Sequence, residues 1–127
     1  MSQTWKINNL ELEFDIFDLE NSEKYEKAFE QMSAEEKAIK RDGKMSEFIR
    51  SYCDMYYHLF ENLFGTEIAE SLCKRYNSNE WEQVYGSFLD YIQSQNNEAQ
   101  KMRASIVNRS ANRSTRRANQ KKKKVLN

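Results

Sequence analysis

The chain has 127 residues, 39% of them hydrophobic and 13% aromatic, which is enough for one compact domain with a core and too few for two. Charged residues make up 31% of the chain and cancel to a formal net charge of zero. No apolar run approaches the roughly 20 residues that cross a bilayer, and the start "MSQTWKINNL" does not resemble a signal peptide, so we expect a cytoplasmic protein without a membrane partner.

The N-terminal segment predicts a β-hairpin. In "TWKINNLELEFDIFDLE", apolar residues alternate with acidic ones over residues 10–16, which is the period of a strand with one solvated face. Asn8 and Asn9 suit a two-residue turn because Asn tolerates positive φ. In that register Trp5 lies opposite Leu12, and their side of the hairpin must pack on helices because a hairpin alone is marginal in water.

Two helices are predicted next. The apolar spacing changes to the helical period at Asn21 and Ser22, either of which suits an N-cap, and predicts a helix over residues 22–41. "MSEFIRSYCDMYYHLFENLFG" then predicts the central core helix over residues 46–64, because its apolar face is wide enough to need neighbours on two sides. We expect Ser46 to be its N-cap and the next glycine, at position 65, to end it in the left-handed conformation.

A short helix and a long one complete the predicted fold. Thr66 suits the N-cap of the short helix, whose apolar residues are Ile68, Ala69, Leu72, Cys73 and Tyr76. Ser78 or Asn79 is expected to begin the last helix, in which Gly86 costs about 1 kcal/mol relative to Ala and indicates close helix packing. Beyond Ile92 the apolar face thins, and the helix is expected to leave the body; the remaining apolar positions are Ala99, Met102 and Ile106.

These elements predict a mainly α fold with an unequal distribution of charge. A short N-terminal β-hairpin packs on a bundle of about four helices, and an extended basic C-terminal segment follows. Residues 1–99 carry all 20 acidic side chains and 10 of the 20 cations, a net charge of −10, whereas residues 100–127 carry the other 10 cations and no acid. We therefore expect an acidic hairpin-plus-helix body over 1–99 and a basic helical extension or tail over 100–127.

Few side chains in the body are candidates for catalysis, redox chemistry or metal binding. They are His58, Cys53, Cys73, Glu11, Glu13 and Asp15. No motif gives the histidine a nucleophile or carboxylate to orient, and the two cysteines occupy apolar positions, where a thiol is a small hydrophobe in a reducing compartment. The acids form a flat row on one strand, which offers a hard cation too few oxygens. We expect no enzyme activity, no cofactor and no metal.

The basic segment is the strongest candidate for a binding site. In "NRSANRSTRRANQKKKK", residues 108–124, eight positive charges occur without an acid. The predicted partner-binding residues are Arg109, Arg113, Arg116, Arg117, Lys121, Lys122, Lys123 and Lys124. If the last helix continues, the arginines share one face; if it does not, the four lysines form a disordered brush. A tail that only solubilises the chain or docks on its own acidic body is the other interpretation.

Three stretches carry a resemblance to a known family: "LELEFDIFDLENSEKYEKAFEQM", "LFENLFG" and "NRSANRSTRR". Over residues 10–117 the chain resembles small proteins encoded by tailed phages and prophages of Firmicutes, which combine a short β start containing a "DIFD"-like segment, a helical body and an "NRAxRR"-type C-terminus. Several groups with this C-terminal signature resemble tail assembly chaperones.

The resemblance implies a noncatalytic assembly protein in the cytoplasm of an infected host cell. Such a chaperone binds the long, aggregation-prone tape-measure protein and recruits tail-tube subunits. On this chain the matching tail positions are Asn108, Arg109, Asn112, Arg113, Arg116 and Arg117. The oligomeric state stays open.

Two other functions stay open at this point. A phage-encoded inhibitor of a host nucleic-acid machine, an anti-defence protein, would use the acidic body to imitate a phosphate backbone. A nucleic-acid binder would act through the basic tail, and because residues 100–127 contain no aromatic side chain its binding would be electrostatic and nonspecific.

Overall fold

A computed structural model describes the backbone of residues 4–126 and the side chains of residues 4–108. Over this range the fold is mainly α, with four helices and one antiparallel β-hairpin, and the predicted fold class is confirmed. In chain order the elements are β1 (Thr4–Ile7), β2 (Leu10–Glu13), α1 (Leu19–Ala38), α2 (Met45–Phe64), α3 (Thr66–Leu72) and α4 (Ser78–Leu126).

The chain divides into two compact units, Met1–Gln93 and Ser94–Asn127. The first unit contains the hairpin, α1, α2, α3 and the beginning of α4. The second unit contains the rest of α4.

The hairpin has the predicted turn and register. Trp5 lies opposite Leu12, and Ile7 opposite Leu10. Asn8 has a φ of 53°, the left-handed region that Asn tolerates better than most residues. Its side chain also donates a hydrogen bond of 2.6 Å to the carbonyl oxygen of Leu72, so the turn residue fastens the hairpin to the end of α3.

Aromatic rings fill the core of the first unit. Trp5 is 3% exposed, and its ring centroid lies 5.9 Å from that of Phe60 and 5.2 Å from that of Phe88. Phe60 in turn stacks on Trp81 at 5.8 Å. The hairpin, α2 and α4 therefore meet around one cluster of rings, and edge-to-face and stacked contacts of this kind add to the free energy of burial.

The first helix begins three residues earlier than its pattern predicts. Asp18 is the N-cap of α1, and its carboxylate accepts a hydrogen bond of 3.3 Å from the backbone N–H of Asn21. The prediction of Asn21 or Ser22 as the cap is therefore wrong: both lie within the first turn. Asp is as good an N-cap as Asn or Ser because its carboxylate accepts hydrogen bonds from the free N–H groups of the first turn. Its negative charge also interacts favourably with the positive end of the helix dipole.

The second helix is the core helix that the sequence predicts. Seven of its residues are buried: Cys53, Met55, Tyr56, Tyr57, Leu59, Phe60 and Leu63. The prediction of Ser46 as its N-cap is wrong, because the helix begins at Met45 after Lys44 and has no side-chain cap. Gly65 ends the helix with a φ of 93° and an extended ψ of 166°, a region nearly restricted to glycine, instead of the expected left-handed helical values.

The third helix is shorter than predicted, and the fourth begins at Ser78, one of the two predicted positions. Because α3 ends at Leu72, Cys73 and Tyr76 lie in the connection to α4 instead of on a helix face. The preceding residue, Asn77, caps the helix: its side-chain oxygen accepts a hydrogen bond of 3.0 Å from the backbone N–H of Glu80.

Gly86 lies inside α4 without a close neighbour. A Cβ atom added at this position would meet nothing within 4 Å. The prediction that Gly86 marks close packing of helices is therefore wrong for contacts within the described part of the chain.

Candidate functional site

The second unit exposes large apolar side chains along α4. Met102, Ile106 and Val107 are 62%, 59% and 62% exposed, and we call these three residues the apolar stripe. Residues four apart share a face of a helix, so Met102 and Ile106 lie one above the other. Burial of one such side chain contributes about 1.5–3 kcal/mol. Neighbouring exposed apolar side chains of this size are typical of a surface that another helix covers.

Positive charge accompanies the apolar stripe. Lys101 and Arg103 are exposed and flank Met102, one on each side, because successive residues are about 100° apart around a helix. Between Gln100 and Asn108 there is no acidic residue. A partner helix that covers the stripe would therefore meet positive charge and no acid in this part of α4.

The predicted tail residues belong to the same helix but lie outside the described side chains. They are Arg109, Arg113, Arg116, Arg117, Lys121, Lys122, Lys123 and Lys124, and the α4 backbone continues through all of them. Their role in partner binding stays a prediction. The sequence indicated two members of the stripe through their helical spacing but did not single out Val107.

The connection between α3 and α4 holds an arginine cluster that the sequence did not indicate. Arg75 donates a hydrogen bond of 2.9 Å to the carboxylate of Asp54, and its guanidinium lies 3.3 Å from the centroid of the Tyr57 ring. The indole N–H of Trp81 donates to the carbonyl oxygen of Arg75 at 2.7 Å. The Nε atom of Arg75 is buried and has no hydrogen-bond acceptor among the described residues. No local sequence motif predicts this cluster, because Asp54 and Arg75 are 21 positions apart in the chain.

A pocket of about 290 Å³ adjoins this cluster. It is lined by Tyr57, Ala69, Glu70, Cys73 and Arg75. Burial is the main cause that raises the pKa of the Cys73 thiol from 9.0 to about 12, and the nearby carboxylate of Glu80 adds to the shift. The thiol is therefore protonated at neutral pH, which makes it a poor nucleophile.

The lone histidine links two helices. The Nδ1 atom of His58 on α2 lies 2.6 Å from a carboxylate oxygen of Glu35 on α1, and both side chains are partly exposed. This pair joins α1 to α2 at the edge of the core.

The three acids that the sequence places in one row, Glu11, Glu13 and Asp15, do not share one environment. Glu11 and Glu13 lie on β2, whereas Asp15 follows the strand, and its carboxylate accepts a hydrogen bond of 3.0 Å from the backbone N–H of Phe17. All three side chains are exposed. Within the described residues no group of three or more His, Cys, Asp or Glu side chains could hold a metal ion. Over the same range no helix is both long and apolar enough to span a membrane.

No curated protein and no solved structure is significantly similar to the chain. One protein family does match: the model of the family of unknown function DUF6673 covers residues 8–122, from the turn of the hairpin almost to the end of the basic segment. Since the match includes both units of the structure and far more than half of the sequence, the chain belongs to the DUF6673 family.

Proposed function

We propose that the protein is a noncatalytic binding protein that acts as a tail assembly chaperone, with the tape-measure and tail-tube proteins of a tailed phage as its partners. The observation that carries this proposal is the apolar stripe on α4, with the exposed cations of Lys101 and Arg103 next to Met102. The resemblance of residues 10–117 to small phage proteins supports the choice of partner. The host-cell cytoplasm, where phage tails are assembled, is the corresponding location.

The proposed mechanism is the temporary covering of an apolar helix. Before a tail is assembled, the tape-measure protein exposes apolar helical surface that would otherwise aggregate. The apolar stripe covers part of that surface, since an amphipathic helix is recognised through anchors that recur every three or four residues. The adjacent cations favour segments whose apolar face is bordered by Asp and Glu, and screening by salt weakens that preference.

Co-expression with the tape-measure protein of the same phage tests the proposal. The full-length chain should keep the tape-measure protein soluble and co-purify with it. The variant Ile106→Asp should lose most of this effect, because it places a charge in the middle of the apolar stripe; the tape-measure protein should then move to the insoluble fraction.

The matched control is Leu19→Asp. Leu19 is 72% exposed at the start of α1, so the same loss of an exposed apolar side chain occurs in the first unit. This variant should behave like the unaltered chain. The proposal fails if the unaltered chain binds neither tape-measure nor tail-tube protein, and the role of the stripe fails if both variants behave alike.

A further inference from the structure

One exposed face of α4 in the first unit combines two acids with a glycine. Glu82 and Asp90 are exposed and lie four residues before and after Gly86, so all three share one side of the helix. We call them the Gly86 face. Since a Cβ at Gly86 would contact nothing, the glycine is not required for packing in the first unit. It leaves a shallow notch between two acidic residues whose Cα atoms are about 12 Å apart along the helix axis.

The carboxylates of this face are largely available to a second molecule. Asp90 forms no ion pair with any described residue. Glu82 accepts a hydrogen bond of 2.9 Å from the hydroxyl of Tyr52, which leaves further acceptor capacity on the carboxylate. A helix without a side chain at one position lets a second helix, or a long side chain from it, approach the backbone closely.

The chain itself contains a basic sequence with the same interval. Arg109, Arg113 and Arg117 recur every four residues in the part of α4 that follows, and we call them the arginine row. The Gly86 face and the arginine row therefore have the same spacing, and two helices can place them side by side. Each acid of the face then lies opposite an arginine at one end of the row, and Gly86 lies opposite the central one, Arg113.

The distribution of charge favours a second copy as the occupant. Residues 1–99 have a net charge of −10 and residues 100–127 a net charge of +10. Two copies placed head to tail bring opposite charges together, and because each copy is neutral overall, no net repulsion opposes their approach.

We propose that copies of this chain associate head to tail, with the arginine row of one copy bound on the Gly86 face of the next. The two surfaces are different, so the contact is heterologous and leaves one free surface at each end of any open assembly. Further copies add to the assembly until it closes into a ring or until the protein concentration limits its length. The proposal is independent of the proposed function because it needs no protein other than this chain.

Sedimentation velocity of the purified full-length chain tests the proposal. In 50 mM salt the average mass should rise with protein concentration beyond that of two copies. In 500 mM salt the apparent dissociation constant should rise by about tenfold or more, since the contact is formed by partly exposed charges. A chain that stays monomeric at all concentrations in low salt overturns the proposal.

Two variants identify the surfaces. Gly86→Leu fills the notch of the Gly86 face; a Cβ at this position meets nothing within 4 Å, and Leu has a higher helix propensity than Gly. Arg109→Glu combined with Arg113→Glu reverses the charge of the arginine row. Each variant alone should be monomeric under conditions in which the unaltered chain associates. The matched control is Glu26→Arg, which reverses an exposed acid on α1 and should leave association unchanged.

A mixture of the two variants provides the decisive measurement. The Gly86→Leu copy keeps an intact arginine row, and the double variant keeps an intact Gly86 face. An equimolar mixture should therefore give a complex of one copy of each and nothing larger. A mixture that stays monomeric, or either variant that associates alone as the unaltered chain does, overturns the assignment of the two surfaces.

Discussion

Gly65 and Gly86 have different roles although both lie in or next to helices. Gly65 has a φ of 93°, which L side chains rarely adopt, so its place between α2 and α3 depends on the missing Cβ. Gly86 has helical backbone geometry and open space where a Cβ would be, so it weakens α4 without any gain in packing within the first unit. The first glycine is required by the fold, and the second is available for a contact with another molecule.

Replacing these two glycines by alanine should have opposite effects on stability. Gly86→Ala should raise the free energy of unfolding by about 1 kcal/mol, because Ala has the higher helix propensity and the new methyl group causes no clash. Gly65→Ala should lower it by at least about 1 kcal/mol, because the backbone there is strained for any other residue. Urea unfolding in 500 mM salt, where charge-driven association is suppressed, measures both values. A destabilising Gly86→Ala would indicate a packing role that the structure does not show.

At the scale of the elements, Trp5 is the fully buried side chain through which the hairpin joins the core of the first unit. Trp5 on β1 packs on the rings of α2 and α4, and its indole N–H donates a hydrogen bond of 2.9 Å to the hydroxyl of Ser87. Just after the hairpin, the backbone N–H of Phe14 donates a further hydrogen bond of 3.1 Å to the hydroxyl of Tyr91 on α4. The hairpin is therefore an integral part of the core of the first unit.

Trp5→Ala should destabilise the first unit by about 3–5 kcal/mol, the range for removal of a large buried aromatic side chain. Lys6→Ala is the matched control: Lys6 is the next residue of β1, its side chain is exposed, and its removal should change stability by less than about 0.5 kcal/mol. Denaturant unfolding followed by circular dichroism measures both. A loss below about 1 kcal/mol for Trp5→Ala would mean that the helices form a stable core without the hairpin.

The elements could be predicted from the sequence more reliably than their ends. The hairpin follows from strict alternation and an Asn–Asn turn, and α2 follows from a wide apolar face, because both signals extend over many residues. The cap of α1 was assigned wrongly because several acceptors stand within a few positions of each other, and the chain uses the earliest, Asp18. The choice depends on where neighbouring elements place the backbone, which the local sequence does not specify.

Across the whole molecule, the body buries many groups that lose a proton at high pH. Desolvation is the main cause that raises the pKa of the Cys73 thiol from 9.0 to about 12. It likewise raises the pKa of buried or half-buried tyrosines above their ordinary value of 10.0; these are Tyr25, Tyr52, Tyr56 and Tyr85. The folded state therefore keeps protons that the unfolded chain releases.

The first unit should accordingly lose stability in alkali. Below about pH 9 the folded and unfolded chains hold the same protons at these groups, and their contribution is fully present. As the pH rises from about 9 towards 12, the unfolded chain ionises first and the free energy of unfolding falls. Urea unfolding should give a value at least about 1 kcal/mol lower at pH 10.5 than at pH 8. The loss should be smaller in Cys73→Ala, and a flat profile between these two pH values would contradict the prediction.

The candidate binding surface could be predicted only in part. The segregation of charge is visible in the sequence, and so is the thinning apolar face that leaves Met102 and Ile106 exposed. Neither the cluster of Arg75 with Asp54 and Tyr57 nor the open space beside Gly86 could be predicted, because each depends on how segments far apart in the chain are packed.

The burial of both tryptophans in one ring cluster determines what intrinsic fluorescence can report. Trp5 and Trp81 are 3% and 0% exposed and both lie against Phe60, whereas residues 94–127 contain no Trp, Tyr or Phe. Ultraviolet emission therefore follows the integrity of the first unit alone. A ligand captured by the C-terminal half of α4 meets no native fluorophore in that segment. An extrinsic dye attached there is therefore the appropriate reporter of occupancy, and the native indoles report folding.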